Sequence, residues 1–320
     1  MTEENQMMAF GPVPSRRLGK SIGINNIPPK ISTYSCIYCQ LGRTLKLRVE
    51  RKPFYNPEAL LDAVKKKIQG AKENEESIDY LTFVPDGEPT LDIHLGREIE
   101  MLQKLGFKMA VITNASLIWD PDVQKDLKKA DWVSLKIDAV DKETWKKVNR
   151  AHGDLKFEKI LDGILEFSSL FKGDLTTETM LVQDVNDQTD KIEKDADFIA
   201  GLNPKISYIS IPTRPPAENW VKPASEFAIN SAYQIFKKKN IDVEYLIGYE
   251  GNAFAYTGNV EKDLLSITSV HPMREEGIKN FLAKAKKDWN VVEKLIKENK
   301  LIEITYKDHQ YYMRKLPAKT

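Results

Sequence analysis

Cysteine and histidine are scarce in this chain of 320 residues, which holds two cysteines and four histidines. Two cysteines cannot form a disulfide framework, so we expect a protein of a reducing compartment, the cytoplasm. The histidines stand at positions 94, 152, 271 and 309, without ligand-like spacing from the cysteines. That scatter disfavours a zinc site, which needs four such ligands close together.

Long apolar runs and an excess of charge of one sign are also missing. No uncharged apolar run approaches the about 20 residues that cross a bilayer, and residues 1–6 are polar with no signal-peptide core behind them. We therefore expect no membrane association. The 48 basic and 47 acidic residues exclude a globally basic nucleic-acid binder but permit a local basic patch.

Apolar strands alternate with amphipathic helices along most of the chain. We predict strands at about 21–25, 80–84, 109–113, 132–138, 175–182, 206–211 and 243–247. Helices are predicted at about 57–69, 94–105, 121–129, 142–149, 157–170, 188–201 and 224–239. Repeated βα units imply a parallel sheet covered by helices, here a partial or full TIM-like (β/α) barrel over residues 1–265. Chemistry in such folds lies at the C-terminal ends of the strands.

Both cysteines lie in one short segment, Cys36-Ile37-Tyr38-Cys39. A Cys-x-x-Cys pair alone is compatible with half a zinc site, a thioredoxin-type redox pair or an iron–sulfur loop. The iron–sulfur loop is favoured because Tyr38 directly precedes the second cysteine and Ser32 stands four residues before the first. With a cysteine at position 32 the segment would read Cys-x3-Cys-x2-Cys. A serine oxygen is a harder ligand, poorly matched where a thiolate is wanted.

Polar residues follow two of the predicted strands. Asp86-Gly87-Glu88 comes after the strand at 80–84, where a glycine permits close approach of a ligand and a carboxylate pairs with an ammonium group. Thr113 and Asn114 end the next strand. They are either polar contacts to a ligand or the start of an ordinary turn.

The strand at 132–138 carries charge inside an apolar pattern. Its period of two places Ser134, Lys136 and Asp138 on one face, which should look into the barrel. Buried charges are costly unless they are paired or hold a ligand. We predict that Lys136 and Asp138 contact a ligand, with a structural ion pair as the alternative.

Arginines mark two further loops. Arg16 and Arg17 lie in a turn-rich stretch, residues 10–20, and either grip an anion or are solvated charges. Arg214 lies in a proline-rich loop after the strand at 206–211, which suits an anionic or planar substrate or is a rigid connector. We therefore name Arg214, together with Lys136 and Asp138, as the candidate catalytic residues.

The pattern changes near residue 266. Two helices, 273–285 and 291–298, precede a hairpin of strands 301–306 and 310–314 around Lys307-Asp308. This order describes a winged-helix-like module over residues 266–320, which holds 12 Lys or Arg against 7 Asp or Glu. The positive excess suits RNA or DNA phosphates, although winged helices also dock proteins or act as lids.

The cysteine loop resembles the signature of the radical S-adenosylmethionine (SAM) superfamily, with its first cysteine replaced by Ser32. The whole chain resembles the stand-alone, wyosine-synthase-like iron–sulfur oxidoreductases of that superfamily. The resemblance is carried by residues 10–19, 34–40, 83–91, 213–216 and 269–274. Because the rest of the chain is typical of an intact enzyme, we interpret Ser32 as an engineered replacement rather than a natural loss.

The resemblance implies a 4Fe–4S cluster and SAM, which is cleaved reductively to a 5′-deoxyadenosyl radical that abstracts hydrogen from an unidentified substrate. It implies an electron donor such as ferredoxin or flavodoxin, and RNA or tRNA modification as one activity. In this interpretation position 32, Cys36 and Cys39 are the metal ligands. The implied contacts to the cofactor come from Tyr38, Gly87, Glu88, Thr113, Asn114, Ser134, Lys136 and Asp138. Among them Gly87 and Glu88 would hold the amino group of SAM, because the turn resembles the Gly-Gly-Glu motif of the superfamily, with Asp86 in place of its first glycine.

Two other functional classes stay open. If Ser32 is natural, the barrel is a non-catalytic regulator that binds SAM or RNA without radical chemistry. The second is a zinc- or thiol-based binding module that uses Cys36 and Cys39. The scattered histidines make the zinc module the weakest interpretation.

Overall fold

An open sheet of eight strands forms the centre of the protein, seen in a computed structural model that describes residues 8–248 and 254–315. The described strands are β1 (Ala9–Ser15), β2 (Gly19–Ile24), β3 (Ile31–Ser32), β4 (Lys46–Leu47), β5 (Tyr80–Phe83), β6 (Lys108–Thr113), β7 (Trp132–Lys136), β8 (Asp174–Met180), β9 (Ile206–Ser210), β10 (Val243–Leu246), β11 (Met273–Arg274), β12 (Leu301–Tyr306) and β13 (His309–Arg314). The large sheet has the order β1-β2-β5-β6-β7-β8-β9-β10.

Helices connect the parallel strands and cover the outer face of the sheet. The described helices are α1 (Pro57–Glu73), α2 (Leu95–Gln103), α3 (Pro121–Leu127), α4 (Lys142–Asn149), α5 (Phe157–Leu170), α6 (Thr189–Leu202), α7 (Glu226–Lys238), α8 (Val260–Val270), α9 (Glu275–Lys284) and α10 (Asn290–Lys297). A large apolar cluster lies between the sheet and the helices α1 to α7. The predicted βα alternation is confirmed, with element ends displaced by a few residues.

The sheet is an incomplete barrel. Strands β2 and β5 to β10 run parallel, whereas β1 pairs antiparallel with β2 at the edge. In the described part of the chain β10 pairs with β9 and not with β1. The partial barrel of our prediction is confirmed, and the full barrel is wrong.

Strand β1 was missed because residues 10–20 are turn-rich in composition. An edge strand tolerates proline, since one row of its backbone groups needs no partner in the sheet. Pro12 and Pro14 lie in β1, and the register with β2 shifts between Phe10 and Val13. Composition alone therefore argued for turns where the chain forms an irregular edge strand.

Helix α1 shows why local sequence specified the helices well. Its N-cap Asn56 accepts hydrogen bonds from the backbone N–H groups of Glu58 (2.9 Å) and Ala59 (3.0 Å), as expected for an asparagine cap followed by proline. Leu60, Val64 and Ile68 are buried against the sheet. Their helical spacing is the pattern from which the helix is predicted.

The C-terminal part has its own apolar cluster. It includes Phe254, Ile267 and Tyr312 and lies beside β1. Strands β11, β13 and β12 form a small sheet in that order, and Lys307 and Asp308 turn the hairpin with positive φ angles of 47° and 60°. Both residues thus have the left-handed conformation of a two-residue type I′ turn, and the predicted hairpin is confirmed.

Within residues 8–248 and 254–315, none of the helices has the length and apolarity that a membrane span requires.

Gly70 lets α1 approach the C-terminal part closely. A Cβ atom at Gly70 would lie 2.6 Å from the carbonyl oxygen of Thr257, whereas a Cβ at Gly201 in α6 would meet nothing within 4 Å. Alanine favours helix over glycine by roughly 0.5–1 kcal/mol. We expect Gly201→Ala to stabilise by about that amount, and Gly70→Ala to destabilise by about 1–3 kcal/mol through overpacking.

Urea unfolding of both variants measures this difference. Equal stabilisation by the two substitutions would show that α1 does not approach residue 257 closely.

Candidate active site

A cavity of about 310 Å³ opens at the C-terminal ends of the barrel strands. Strands β6, β7, β8 and β9 each present residues to it, and the turn after β5 closes one side. The loop between β3 and β4 closes another, so Ser32, Cys36 and Cys39 line the same cavity. The cavity thus lies where a site is expected in such a fold, at the C-terminal ends of the strands.

Backbone and side-chain hydrogen bonds fix the cysteine loop. The N–H groups of Ser35 and Ile37 donate to the carbonyl oxygens of Asn149 and Val148, each at 2.9 Å. Thr33 Oγ1 accepts from Asn114 Nδ2 at 2.8 Å and from Ser116 Oγ at 2.7 Å. The loop is therefore attached to the end of α4 and to the segment after β6.

Both thiols are partly buried and are free of disulfide bonds. Burial raises the pKa of Cys36 to about 12, with a further contribution from Asp138, and burial likewise raises the pKa of Cys39. Both groups are thus neutral thiols at neutral pH, and a bound metal must displace their protons. Asn149 Nδ2 lies 3.5 Å from Cys36 Sγ, within reach for a hydrogen bond to the sulfur.

The residues present fit an iron–sulfur cluster at two positions of three. The two cysteine side chains and Ser32 line one cavity in the order that the loop signature requires. Ser32 is 9% exposed, and its Oγ accepts a hydrogen bond from the N–H of Tyr34 at 3.3 Å. Among the described residues no group of three or more His, Cys, Asp or Glu side chains has the arrangement of a metal site.

Glu88 is buried, and both oxygens of its carboxylate accept hydrogen bonds within the protein. Its carboxylate accepts from the N–H (3.1 Å) and hydroxyl (2.7 Å) of Thr90, from Thr113 Oγ1 (2.6 Å) and from the N–H of Asn114 (2.8 Å). Burial raises the pKa of Glu88 although these donors favour the ionised form. The predicted residues Glu88, Thr113 and Asn114 are thus brought together at the cavity wall.

Gly87 is required by close packing. A Cβ atom there would lie 1.8 Å from the carbonyl oxygen of Ile31, so no other residue fits without moving the backbone. The N–H of Glu88 donates to the same oxygen at 3.2 Å. The turn after β5 is therefore docked directly on the strand that contains Ser32.

Lys136 lies in the cavity beside Glu178. Its Nζ is 3.0 Å from Glu178 Oε1 and 4.9 Å from the centroid of the Tyr38 ring. Arg17 also pairs with Glu178, and Ser210 Oγ donates to it at 3.0 Å. Burial opposes the charge on both partners. Even so, Lys136 and Arg17 hold the pKa of Glu178 well below its usual range, and Glu178 raises the pKa of Lys136.

Asp138 and Ser134 are placed differently from Lys136. Both are buried, but neither is among the described residues that line the cavity. Asp138 accepts from the hydroxyl of Tyr38, from Asn149 Nδ2 at 2.9 Å and from the N–H of Met180 at 3.0 Å. Asp138 thus orients Tyr38 from behind the cavity wall. Of the three residues predicted to share one face of the strand, Lys136 lines the cavity, whereas Ser134 and Asp138 do not.

Arg214 lies at the cavity mouth between two parts of the chain. It donates to Gln40 Oε1 at 2.6 Å and lies 3.0 Å from His271 Nε2. Gln40 Nε2 in turn donates to the carbonyl oxygen of Val270 at 2.6 Å. The residue that follows Cys39 is thereby connected to the end of α8.

Sequence reasoning did not connect Arg17 with Glu178. The two residues are 161 positions apart. The anion that Arg17 contacts is thus the carboxylate of Glu178. One available signal was the alternation of β8, which places Glu178 on the same face as Met180. Both residues line the cavity.

We expect Glu178→Gln to destabilise the protein by about 3 kcal/mol, because it leaves the partly buried Lys136 and Arg17 without their anion. The matched control is Asp174→Asn on the same strand, which removes an exposed pair with Lys205 (2.7 Å) and should cost less than about 1 kcal/mol. Because the folded pKa of Glu178 is depressed, its contribution is complete above the unfolded pKa of about 4.3 and is lost as the pH falls further. Urea unfolding at pH 7 and below pH 4 tests both statements, and a constant difference between the parent and Glu178→Gln would contradict them.

The sequence profile of the radical SAM superfamily matches residues 27–199. The chain is 46% identical to the UPF0026 protein of Methanocaldococcus jannaschii, over 98% of this chain and 97% of that protein. The fold is similar to a radical SAM methyltransferase from Sphaerobacter thermophilus (TM-score 0.56, 14% identity, 71% of this chain and 66% of that one). It is also similar to TYW1 with a lysine-pyruvate adduct bound (TM-score 0.52, 18% identity, 69% and 75%). With this profile match over more than half of its length, the chain belongs to the radical SAM superfamily.

Proposed function

We propose that this cavity holds a 4Fe–4S cluster and SAM, and that the chain is a radical SAM enzyme disarmed by Ser32 at the first ligand position. The observation that carries the proposal is the convergence of Ser32, Cys36 and Cys39 on one cavity at the strand ends. When bound, the cluster and SAM supply a radical that abstracts hydrogen from a substrate. The substrate is unidentified, and modification of RNA or tRNA is the activity that the wyosine-synthase-like resemblance suggests.

In this proposal the chain itself holds, orients and encloses the reactants. Cys36 and Cys39 provide two thiolate ligands, and Tyr38, fixed by Asp138, forms part of the wall next to them. Gly87, Glu88, Thr113 and Asn114 shape the side that faces SAM. A partly closed cavity of this kind limits access of water to a reactive species.

Lys136 and Arg214 are proposed to bind an anionic part of the substrate or of SAM. Lys136 stays an ammonium ion because Glu178 raises its pKa despite burial. This state suits ionic recognition and disfavours nucleophilic attack, which needs a neutral amine. Lys136, paired in this way, therefore does not favour forming an adduct such as the lysine-pyruvate adduct that is bound in the TYW1 structure.

We assign the remaining roles by the same resemblance. The division into a barrel domain (1–265) and a winged-helix-like module (266–320) is part of the proposal, with the module as the site of RNA contact. Its excess of basic residues supports this role. Ferredoxin or flavodoxin would deliver the electron, in the cytoplasm.

The second candidate function is a regulator that binds SAM or RNA without radical chemistry. Ser32 is the observation that favours it, since two thiolates and a serine are a poor ligand set for the cluster. It predicts that SAM stays intact even after a cysteine is placed at position 32.

The test is anaerobic reconstitution of the chain and of its Ser32→Cys variant with iron and sulfide. We expect the variant to bind about four irons per chain, to show thiolate-to-iron absorbance and to form 5′-deoxyadenosine from SAM under a strong reductant. The parent chain should bind less iron and leave SAM intact. Ser32→Ala is the matched control, because it removes the hydroxyl without adding a thiol.

A Ser32→Cys variant that folds but binds no cluster would refute the radical proposal. A variant that binds the cluster and SAM but leaves SAM intact would favour the regulator.

A further inference from the structure

Asp86 is a buried carboxylate without a hydrogen-bonding partner in the described part of the chain. It is 2% exposed, lines the cavity and has neither side-chain oxygen engaged. Burial raises its pKa to about 8. Burying a carboxylate without donors is costly, so the protein keeps an unfavourable group at its cavity wall. A ligand that donates hydrogen bonds to this carboxylate would remove that cost.

The position of Asp86 is fixed by its backbone. Its carbonyl oxygen accepts from the N–H of Lys30 at 2.7 Å, and its neighbour Gly87 is pressed against Ile31. The charges that lower its pKa, Arg314 and Lys30, form no ion pair with it among the described residues. The backbone that carries this carboxylate is therefore held against the segment of Lys30 and Ile31.

Asp86 also lies beside the cysteine loop. Cys39 and Asp86 line the same cavity. The unpartnered carboxylate thus faces the same cavity as one of the residues that would hold the proposed cluster.

Glu88, which our sequence analysis assigned to the SAM amino group, is already engaged. Its Oε1 accepts three hydrogen bonds, from Thr90 and Thr113, and its Oε2 accepts one from the N–H of Asn114. Of the two carboxylates in this turn, Asp86 alone has both oxygens unengaged among the described residues.

We propose that the Asp86 side chain accepts hydrogen bonds from the amino group of SAM, in the role that the sequence assigned to Glu88. The inference rests on the proposed function, because it presumes that SAM enters this cavity. Glu88 instead keeps the wall in shape. Where the superfamily motif that this turn resembles has a glycine, Asp86 adds a side-chain acceptor for the cofactor.

The experiment compares two probes on the full chain and on the reconstituted Ser32→Cys variant. SAM carries the amino group, whereas 5′-methylthioadenosine has the same nucleoside and sulfur without the amino-acid end. In Asp86→Asn we expect the Kd for SAM to rise at least about tenfold, as for a lost charge-assisted hydrogen bond. The Kd for 5′-methylthioadenosine should stay unchanged, and equilibrium dialysis measures both.

The matched control is Asp195→Asn, a buried aspartate with one unengaged oxygen that does not line the cavity. We expect it to leave the Kd values for both probes unchanged. Without ligand, Asp86→Asn should unfold at the same temperature as the parent or a few degrees higher, because it removes a carboxylate that the fold does not use. A loss of several degrees, with both probes weakened, would show that Asp86 is structural and overturn the inference.

The two proposals fail in different ways. If SAM binds the parent chain and Asp86→Asn equally well, the role of Asp86 is refuted and the proposed function stands. If SAM binds neither the parent chain nor the Ser32→Cys variant, the proposed function fails and the inference fails with it. If Asp86→Asn binds SAM more weakly than the parent chain does, but binds 5′-methylthioadenosine equally well, both proposals are supported.

Discussion

One buried carboxylate, Glu88, holds the ends of two strands and indirectly the cysteine loop in register. It accepts from Thr113 at the end of β6 and from the backbone of Asn114. The amide of Asn114 then donates to Thr33, which lies next to Ser32. These bonds join the turn after β5 to the end of β6 and, through Asn114, to the cysteine loop, so the shape of the cavity wall depends on this carboxylate. The cavity at the C-terminal ends of the strands depends on this set of bonds.

The elements of the fold were predictable because their signals are local. Apolar runs such as residues 80–83 and helix signals such as Asn56-Pro57 specify structure within a few residues. Edge strand β1 escaped because its prolines argue for turns unless the neighbouring strand is known. The open barrel was likewise beyond local reasoning, since closure depends on how β1 and β10 meet across the whole chain.

The site was predictable in its position and less so in its roles. Strand order predicted that residues at the ends of β5, β6 and β7 would converge, and Glu88, Thr113 and Lys136 indeed share the cavity. The partner of each charge was not readable, because Arg17 and Glu178 meet only after the sheet has curled. The same holds for Asp86 and Glu88, two carboxylates of one turn, of which one faces donors and the other does not. Sequence spacing cannot distinguish them.

The contacts of Gln40 bear on how this protein can evolve. Gln40 follows Cys39 directly, and its side chain joins Arg214 of the barrel to the end of α8. Two pieces of chain that meet through a third cannot be exchanged independently. A lineage that replaced the C-terminal part with another accessory module would have to rebuild the support of the cysteine loop at the same time. Recombination at this boundary is therefore constrained by the chemistry of the loop, even though the accessory part carries none of the proposed metal ligands.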